Sequence, residues 1–296
     1  MTLKALIESV DLGLIRCFYA EEVRVAAQVQ SSRLVEAFAR VPREKYLGPG
    51  PWRIASAEIG MEIGMGGAAY MQTDDAHPRH VYHNVSIALD SARSLFNGQP
   101  ATLARWMDVL DLKPGARVFH LGCGVGYYTA IMAEAVGPDG SVFASEVDPD
   151  LAARSKANLA EYANVEVQTG DGAGLDPGSC DAMLINAGVT HPHPAWLERL
   201  RDGGRMILPL TVAMGPFLGK GMMIMVTRQG DGFAARVITF VLIYSCTSVR
   251  DPLLEPLLGK AMGTGALMKM KSIRRDAHEQ TDTCVLHGHD LCLSSV

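Results

Sequence analysis

The sequence predicts a doubly wound α/β fold whose mostly parallel sheet ends in an antiparallel hairpin. Between residues 100 and 210, short apolar runs of strand length alternate with patterns of helical period. Such alternation requires right-handed crossovers and a parallel sheet with helices on both faces. Residues 222–228 and 233–244 then flank the turn Gln229-Gly230-Asp231-Gly232, which is typical of a hairpin.

The composition indicates a globular protein and argues against a disordered, nucleic-acid-binding or membrane-spanning one. The 296 residues include 27 basic and 32 acidic side chains, for a formal net charge of −5, and 48% of the residues are hydrophobic. This apolar content is enough for a globular core and excludes wholesale disorder. The mild acidity leaves no basic footprint for nucleic acid, and no apolar run reaches the roughly 18 residues of a membrane span. We therefore expect neither a nucleic-acid nor a membrane partner.

The cysteines and the first residues indicate a cytoplasmic protein. The six cysteines are scattered and include no CxxC pair, so reduced thiols are expected rather than a disulfide framework. Glu8, Asp11 and Arg16 interrupt the stretch in which a signal peptide needs unbroken apolar residues.

A first section, residues 1–96, precedes the alternating region. We expect it to be helical to about residue 48, because apolar residues from Leu34 to Val41 recur at helical spacing. Residues 48–67 are rich in glycine and proline and are expected to be irregular.

Residues 74–84 form a polar segment on which no element can be placed. It holds His77, His80 and His83, which suit a polar lid over a site, or ordinary surface, better than a metal centre, because no second ligand cluster accompanies them. His287 and His289 are interpreted as surface residues in the same way. The sequence therefore predicts no metal.

The second section, residues 97–245, carries the alternation. Its first helix is expected from Pro100 to about Leu110, and Asp148-Pro149 marks another helix start, with aspartate as N-cap and proline at the first helical position. The other expected elements are strands at 117–121, 141–145, 165–168, 182–186 and 205–210 and helices at 127–136, 149–162 and 195–201.

The third section, residues 246–296, is expected to be an appendage with a methionine-rich helix near residues 267–271. Its leucines offer an apolar surface on which a homodimer could form. These leucines are Leu253, Leu254, Leu257 and Leu258.

A glycine-rich turn is the strongest local signal. The strand that ends at Leu121 runs into Gly122, Gly124 and Gly126, and a helix opens directly after them. Glycine lets the backbone approach a ligand closely, and the helix N-terminus presents free N–H donors.

Two carboxylates follow at the ends of the next two strands. Glu146 is placed to accept the hydroxyls of a ribose, and Asp171, within Gly170-Asp171-Gly172, is placed to accept the amine of an adenine. Ligands bind open α/β sheets at this edge, so the three features together predict a site for an adenosine-containing cofactor.

The spacing discriminates between such cofactors. A dinucleotide fingerprint needs a third glycine at position 127, where the chain has Tyr127, and no Gly-Lys-Ser/Thr follows as a P-loop would require. The G-x-G-x-G spacing and the second carboxylate, Asp171, suit S-adenosylmethionine better than a pyrophosphate ligand.

Residues 97–210 resemble the Rossmann-like class I S-adenosylmethionine-dependent methyltransferases, and specifically the protein-L-isoaspartate O-methyltransferase family. The stretches that carry the resemblance are Gln99-Pro100 at a helix start, RVFHLGCGVGYYTAIMAEAVG at 117–137, GDG at 170–172, DAMLINAG at 181–188 and LRDGGRMILPL at 200–210. Upstream, VEAFARVPREKY at 35–46 is similar to the N-terminal segment of that family.

The resemblance implies roles for individual residues. Gly122, Gly124 and Gly126 would surround the methionine part of the cofactor, Glu146 would hold the ribose and Asp171 the adenine. The further cofactor contacts that it implies are His120, Cys123, Tyr127, Val147, Gly172 and Asn186. On the acceptor side it implies Gly98, Gln99, Pro100 and Thr190.

Two positions depart from the family pattern. His120 stands where the family usually has an acidic residue, and Gly98 stands where it has a serine or threonine close to the accepting carboxylate. Without that hydroxyl, isoaspartate repair is not simply inherited.

The main hypothesis is transfer of a methyl group to an oxygen, with a carboxylate favoured, on a peptide or small molecule. Three alternatives remain open: isoaspartyl repair itself, methylation of a metabolite hydroxyl with His191 or His193 as the base, and a non-catalytic module that recognises a partner through residues 211–296. The two histidines lie in the loop after the fourth strand and are otherwise solvated loop residues. A carboxylate acceptor needs no base, whereas a hydroxyl does.

Overall fold

Three helices open the part of the chain that the computed structural model describes, namely residues 10–55 and 70–296. Asp11 and Ser31 cap the first two helices, because their side chains accept hydrogen bonds from the backbone of the first turn. The helical expectation is confirmed from residue 12 to 47, and residues 1–9 lie outside the described residues. The helices are α1 (Leu12–Ala27), α2 (Ser32–Arg40) and α3 (Glu44–Leu47).

A small antiparallel sheet follows, which the sequence analysis did not predict. We call it the cap sheet; its strands are β1 (Arg53–Ala55), β2 (Met71–Gln72), β3 (Ser86–Asp90) and β4 (Leu95–Asn97), in the order β2-β1-β3-β4. A 3-10 turn spans Pro78–Val81. The expectation of irregular structure at 48–67 is therefore wrong at β1, and residues 56–69 lie outside the described residues.

The predicted parallel sheet is confirmed. Its strands, in the order β7-β6-β5-β8-β9, all pair in parallel. The strands are β5 (Arg117–Leu121), β6 (Ser141–Glu146), β7 (Val165–Thr169), β8 (Cys180–Ile185) and β9 (Leu200–Ala213), and the helices are α4 (Pro100–Val109), α5 (Tyr127–Val136), α6 (Pro149–Asn158) and α7 (Pro194–Arg199). The main differences from expectation are that α6 ends at Asn158 and β9 begins at Leu200.

The predicted hairpin is also confirmed. Strands β10 (Leu218–Gln229) and β11 (Gly232–Tyr244) pair with each other and with β9 in antiparallel register. No helix within residues 10–55 and 70–296 has both the length and the apolar character to cross a membrane.

The C-terminal section is part of the main sheet rather than an appendage. Three short strands extend the sheet beyond β11 in the order β12-β14-β13, to a total of ten strands. The methionine-rich helix expected at 267–271 is a 3-10 turn at Ala266–Lys269, preceded by a helix that was not predicted. The elements are α8 (Leu254–Gly263), β12 (Ser272–Arg274), β13 (Cys284–His287) and β14 (Cys292–Ser294).

The expected apolar surface of this section is only half present. Leu254 and Leu258 are buried in the core, whereas Leu253 and Leu257 are exposed. A helix turns 100° per residue, so neighbouring leucines of α8 point to different faces.

Two hydrophobic cores cover the two faces of the main sheet. Val118 of β5 packs with α1, α2, α4 and α5, whereas Phe119 and Leu121 pack with α7, α8 and the C-terminal strands. Successive residues of a strand point to opposite faces, so β5 serves both cores and lies in the interior of the sheet.

A buried arginine joins the N-terminal helices to the cap sheet. Arg43 is fully buried, and its guanidinium donates hydrogen bonds to the backbone oxygens of Val81, His83 and Val85 at 2.9–3.1 Å. It also donates to Asn97 Oδ1 at 3.2 Å. A guanidinium has five N–H donors, and a buried one is tolerated only when they are bonded.

We expect Arg43→Lys to lower the free energy of unfolding by at least about 3 kcal/mol, because three donors cannot replace five and each oxygen left without a partner costs about 1–3 kcal/mol. Urea unfolding followed by circular dichroism measures the change. Arg40→Lys is the matched control: Arg40 pairs with Glu36 at the surface, and we expect a change under about 0.5 kcal/mol. Equal losses in the two variants would contradict the role given to Arg43.

Candidate active site

The glycine turn between β5 and α5 leaves open space at one of its three glycines. All three have positive φ: 75° at Gly122, 57° at Gly124 and 90° at Gly126. A Cβ at Gly126 would lie 2.7 Å from Leu159 Cδ1, and one at Gly122 would lie 3.2 Å from the carbonyl oxygen of Asn186. A Cβ at Gly124 meets no described atom within 4 Å. Packing alone therefore requires glycine at Gly122 and Gly126, whereas Gly124 borders open space.

Glu146 is held beside this turn at the end of β6. It is 7% exposed, and its carboxylate accepts hydrogen bonds from the backbone N–H of Gly124 at 2.7 Å and of Asp148 at 3.1 Å. Burial raises the pKa of Glu146, and these two N–H donors oppose the rise. Val147 follows it with 49% of its surface exposed, which leaves an apolar side chain uncovered beside the carboxylate.

Asp171 and Asn186 complete the edge from the neighbouring strands. One carboxylate oxygen of Asp171 accepts the N–H of Ala173 at 3.1 Å, and Asn186 Nδ2 donates to the Gly122 oxygen at 3.3 Å. Gly172 has no room for a side chain, because its Cβ would lie 2.5 Å from Ser145 Oγ. The structure thus brings the predicted residues of three strand ends to one edge.

Two predicted cofactor contacts, His120 and Cys123, are buried and uncharged. Burial lowers the pKa of His120 to about 3, and His120 Nδ1 lies 2.9 Å from the hydroxyl of Thr129. Burial raises the pKa of Cys123 to about 12, so its thiol is not a nucleophile. A neutral imidazole at position 120 offers one further hydrogen bond and no charge to a ligand.

The side chain of Tyr127 does not support its predicted cofactor contact. It is fully buried, its hydroxyl lies 3.1 Å from that of Tyr19, and its ring packs edge-on against Phe38, Tyr46 and Tyr128. The glycine spacing places the backbone of this residue at the turn, but the first turn of α5 directs its side chain into the N-terminal core.

The side chain of Thr190, predicted on the acceptor side, is also held by partners within the protein. It is fully buried, and its hydroxyl accepts the N–H of Asp251 at 2.8 Å and lies 2.9 Å from His191 Nδ1. All groups are satisfied when Thr190 donates its proton to Nδ1, which leaves the proton of neutral His191 on Nε2. Burial lowers the pKa of His191, so the ring is neutral near pH 7 and presents a donor rather than a base.

His193 lies at the start of α7. Its ring centroid is 5.5 Å from that of Trp196, and Trp196 Nε1 donates to the Gly172 oxygen at 3.4 Å. Through Trp196, His193 is linked to Gly172, the neighbour of Asp171. The predicted base His193 and the predicted adenine ligand Asp171 therefore lie in one region of the structure.

The acceptor-side segment predicted at Gly98, Gln99 and Pro100 adjoins the glycine turn. Tyr128, the second residue of α5, donates its hydroxyl proton to the Gly98 oxygen, and Arg43 Nη2 donates to the same oxygen at 3.3 Å. Gln99 Nε2 donates to the Asn84 oxygen at 3.2 Å. Pro100 is buried as the first residue of α4.

A further covering element was not predicted. The turn between β3 and β4 reaches the carboxyl edge, where Arg93 forms an ion pair with Asp148 and the hydroxyl of Tyr244 donates to the Arg93 oxygen. No sequence signal marks this turn, because its partners are 55 and 151 residues away along the chain.

The histidines of segment 74–84 support the cap sheet. His80 Nε2 lies 2.9 Å from Asp75 Oδ1, and His77 Nδ1 accepts the N–H of Arg79 at 3.2 Å. The backbone oxygen of His83 is one of the acceptors of Arg43. These contacts give the three histidines local structural partners.

The chain is similar to known proteins over most of its length. Residues 20–241 match the family model described as protein-L-isoaspartate(D-aspartate) O-methyltransferase. A protein-L-isoaspartate O-methyltransferase of Aeropyrum pernix is 32% identical over 195 residues, which are 64% of this chain and 64% of that protein. The alignment thus spans just under two thirds of that relative.

Two solved structures share the fold. A protein-L-isoaspartate O-methyltransferase gives a TM-score of 0.62 at 21% identity, over 82% of this chain and 70% of the other. A putative protein-L-isoaspartate O-methyltransferase from Plasmodium falciparum, in complex with S-adenosyl-L-homocysteine, gives 0.57 at 16% identity, over 78% and 98%. The chain belongs to the protein-L-isoaspartate O-methyltransferase family, and hence to the S-adenosylmethionine-dependent methyltransferases.

We expect His120→Asn to remove part of the acid sensitivity of folding. The pKa of His120 is about 3 in the folded chain against about 6.5 unfolded, so below pH 6.5 the unfolded state binds the extra proton and stability falls. His120 should account for a loss of about 2 kcal/mol in the free energy of unfolding when the pH falls from 7 to 5.

Urea unfolding at both pH values measures this difference. The His120→Asn variant should lose about 2 kcal/mol less than the unaltered chain. His289→Asn is the control, because His289 is exposed, and it should retain the full loss. Identical pH dependence in both variants would show that His120 is not the buried neutral group described here.

Proposed function

We propose that this chain transfers a methyl group from S-adenosylmethionine to the free α-carboxylate of an isoaspartyl residue in a peptide or protein. The observation that carries the proposal is the bond from the Tyr128 hydroxyl to the Gly98 oxygen. It fixes the segment implied in acceptor binding to the helix that begins at the glycine turn. The family match and the relatives of that name support the same acceptor.

The residues of the carboxyl edge fit the cofactor. Gly124 borders open space, the Glu146 carboxylate lies beside it to accept ribose hydroxyls, and Asp171 has a carboxylate oxygen to spare for the adenine amine. The exposed Val147, next to Glu146 in the chain, offers an apolar surface. When bound, the cofactor supplies an electrophilic methyl group on a sulfonium.

Neutral or buried groups around the edge favour a carboxylate acceptor over a hydroxyl. A hydroxyl must lose its proton to a base during transfer, whereas an ionised carboxylate has none to lose. The assigned tautomer of His191 presents a proton on Nε2, and Cys123 is a protonated thiol. The task left to the protein is alignment of the acceptor.

Gly98 determines how the acceptor is held. The family's hydroxyl at this position is missing, and a Cβ here would lie 2.9 Å from Leu103 Cδ2, the movable end of a side chain. The backbone oxygen of Gly98 is already occupied by Tyr128 and Arg43. The acceptor carboxylate therefore has one hydrogen-bond donor fewer than in relatives that carry the hydroxyl.

We expect Glu146→Gln to weaken S-adenosylhomocysteine binding about 10- to 100-fold, because charge-assisted hydrogen bonds are worth about 1.5–3 kcal/mol. Isothermal titration calorimetry gives the dissociation constant. Glu166→Gln on the exposed face of β7 is the matched control and should bind as the unaltered chain does. Equal affinity in all three proteins would remove Glu146 from the cofactor site.

The acceptor is tested with an isoaspartyl peptide and its aspartyl twin of the same sequence. We expect label from methyl-labelled S-adenosylmethionine on the isoaspartyl peptide alone, released by mild base as a methyl ester must be. The Gly98→Ser variant should raise kcat/KM for that peptide about 10-fold, which is one added hydrogen bond to a charged group.

Three other results would overturn the isoaspartyl assignment. Label on the aspartyl twin alone would show that Gly98 accompanies a different carboxylate acceptor. Base-stable label would indicate a hydroxyl or amine. Absence of label with S-adenosylhomocysteine still bound would mean that the acceptor is not a peptide carboxylate of this kind.

A further inference from the structure

Four metal-binding side chains meet near the C-terminus, outside the stretch that matches the family. His278, Cys284, His287 and Cys292 each offer a nitrogen or sulfur atom, and these four atoms all lie within 4.8 Å of one another. The family match ends at residue 241. The cluster is therefore an independent feature of residues 246–296, and it includes His287, which the sequence had suggested to be a surface residue.

The register of the last two strands brings three of the four to one face. His287 lies opposite Cys292 across the β13–β14 pair, and Cys284 lies opposite Ser294. Residues directly opposite each other in an antiparallel pair share a face. Cys284 and His287 are three apart and would face opposite ways in a regular strand, but a bulge between Cys284 and Leu286 brings them together.

The loop before β13 supplies the fourth side chain and orients it. His278 Nδ1 lies 2.8 Å from the backbone oxygen of Asp276, so it donates its proton there and leaves Nε2 as an acceptor. Nε2 lies 3.6 Å from Cys284 Sγ. Metal-binding histidines are held in this manner, with the second ring nitrogen donating to a carbonyl or carboxylate.

The remaining groups of the cluster suit a bound cation. Cys284 Sγ accepts the backbone N–H of Thr281 at 3.3 Å, a bond that stabilises a thiolate. His287 Nδ1 is buried and has no hydrogen-bond partner among the described residues, although buried polar atoms are normally bonded. The rings of His278 and His287 are 4.9 Å apart at 73°, so they do not stack.

The distance between two of the four ligand atoms agrees with tetrahedral coordination. With Zn–S near 2.3 Å and Zn–N near 2.0–2.1 Å, tetrahedral geometry places a sulfur and a nitrogen ligand about 3.6 Å apart. This is the separation of His278 Nε2 and Cys284 Sγ. Two thiolates with two imidazoles form a donor set that selects Zn²⁺ over the hard cations Mg²⁺ and Ca²⁺.

We propose that His278, Cys284, His287 and Cys292 form a structural zinc site. Four protein ligands close a tetrahedral site and leave no position for water or substrate, so this site stabilises the fold and takes no part in chemistry. The ion fastens the loop at 275–283 to β13 and β14, which have only four and three residues and hence few backbone hydrogen bonds of their own.

The site is remote from the candidate active site. Strands β12, β11, β10, β9 and β8 separate β14 from β5 in the main sheet, which at about 4.8 Å per strand spacing amounts to roughly 30 Å. Metal loss should therefore alter stability without altering cofactor affinity, and the test of the zinc site does not depend on methyl transfer.

Metal content of the untagged full chain tests the site. We expect one zinc per chain by mass spectrometry, lost from Cys284→Ser and His287→Ala. The matched controls are Cys17→Ser and His289→Ala, because both residues are exposed and lie outside the cluster; each should keep one zinc. Loss of a ligand should weaken Zn²⁺ binding by more than the about 10–100-fold that loss of an orienting partner costs.

Cobalt substitution tests the site in the unaltered chain, so its result does not depend on whether a variant folds. Co²⁺ added to the zinc-free protein should give the intense visible bands of a tetrahedral site and a thiolate-to-cobalt charge-transfer band. Weak octahedral bands, a Cys284–Cys292 disulfide, or equal zinc content in cluster and control variants would each overturn the proposal.

Discussion

The arrangement of the cap sheet depends on the burial of one cation. Arg43 has no carboxylate within ion-pair distance among the described residues, and its N–H groups are bonded to oxygens of two separate segments, residues 81–85 and 97–98. Removing a guanidinium from water is costly unless every donor is bonded. The folded chain is therefore obliged to bring these segments to Arg43, and this fixes β3 and β4 against the N-terminal helices.

From this constraint follows the position of the cap sheet relative to the parallel sheet. The Gly98 oxygen that Arg43 contacts also accepts the hydroxyl of Tyr128 on α5. On the far side, Arg93 pairs with Asp148 at the start of α6. The cap sheet is thus tied to the helices that follow both β5 and β6. This fixes the segment proposed to bind the acceptor relative to Gly124 and Glu146, as the alignment of two reactants requires.

The sequence predicted those elements whose formation depends on neighbouring residues, and it did not predict those that depend on distant contacts. Strand β5 and helix α5 have the predicted bounds, because a short apolar run and a glycine turn are local signals. The cap sheet was missed, since its strands have two to five residues and its stability depends on Arg43. Helix α8 was not predicted; its Pro256 lies in the first turn, where a proline costs no hydrogen bond. The buried side chains of Tyr127 and Thr190 were not foreseen, because motif spacing locates backbones and not side-chain directions.

The C-terminal strands are joined to the rest of the main sheet by few backbone pairs, so an additional link stabilises them. Strand β12 follows the family match in the chain, and it pairs with β11 only at Phe233 and Ala234. These three strands have only three or four residues each and hence few backbone hydrogen bonds, although Ile273, Leu286 and Leu293 are buried in the core. A sulfur and nitrogen cluster supplies a directional interaction that needs four side chains rather than a core. Because its ligands are spread over 15 positions without a CxxC pair, only the folded register of β13 and β14 makes the cluster visible.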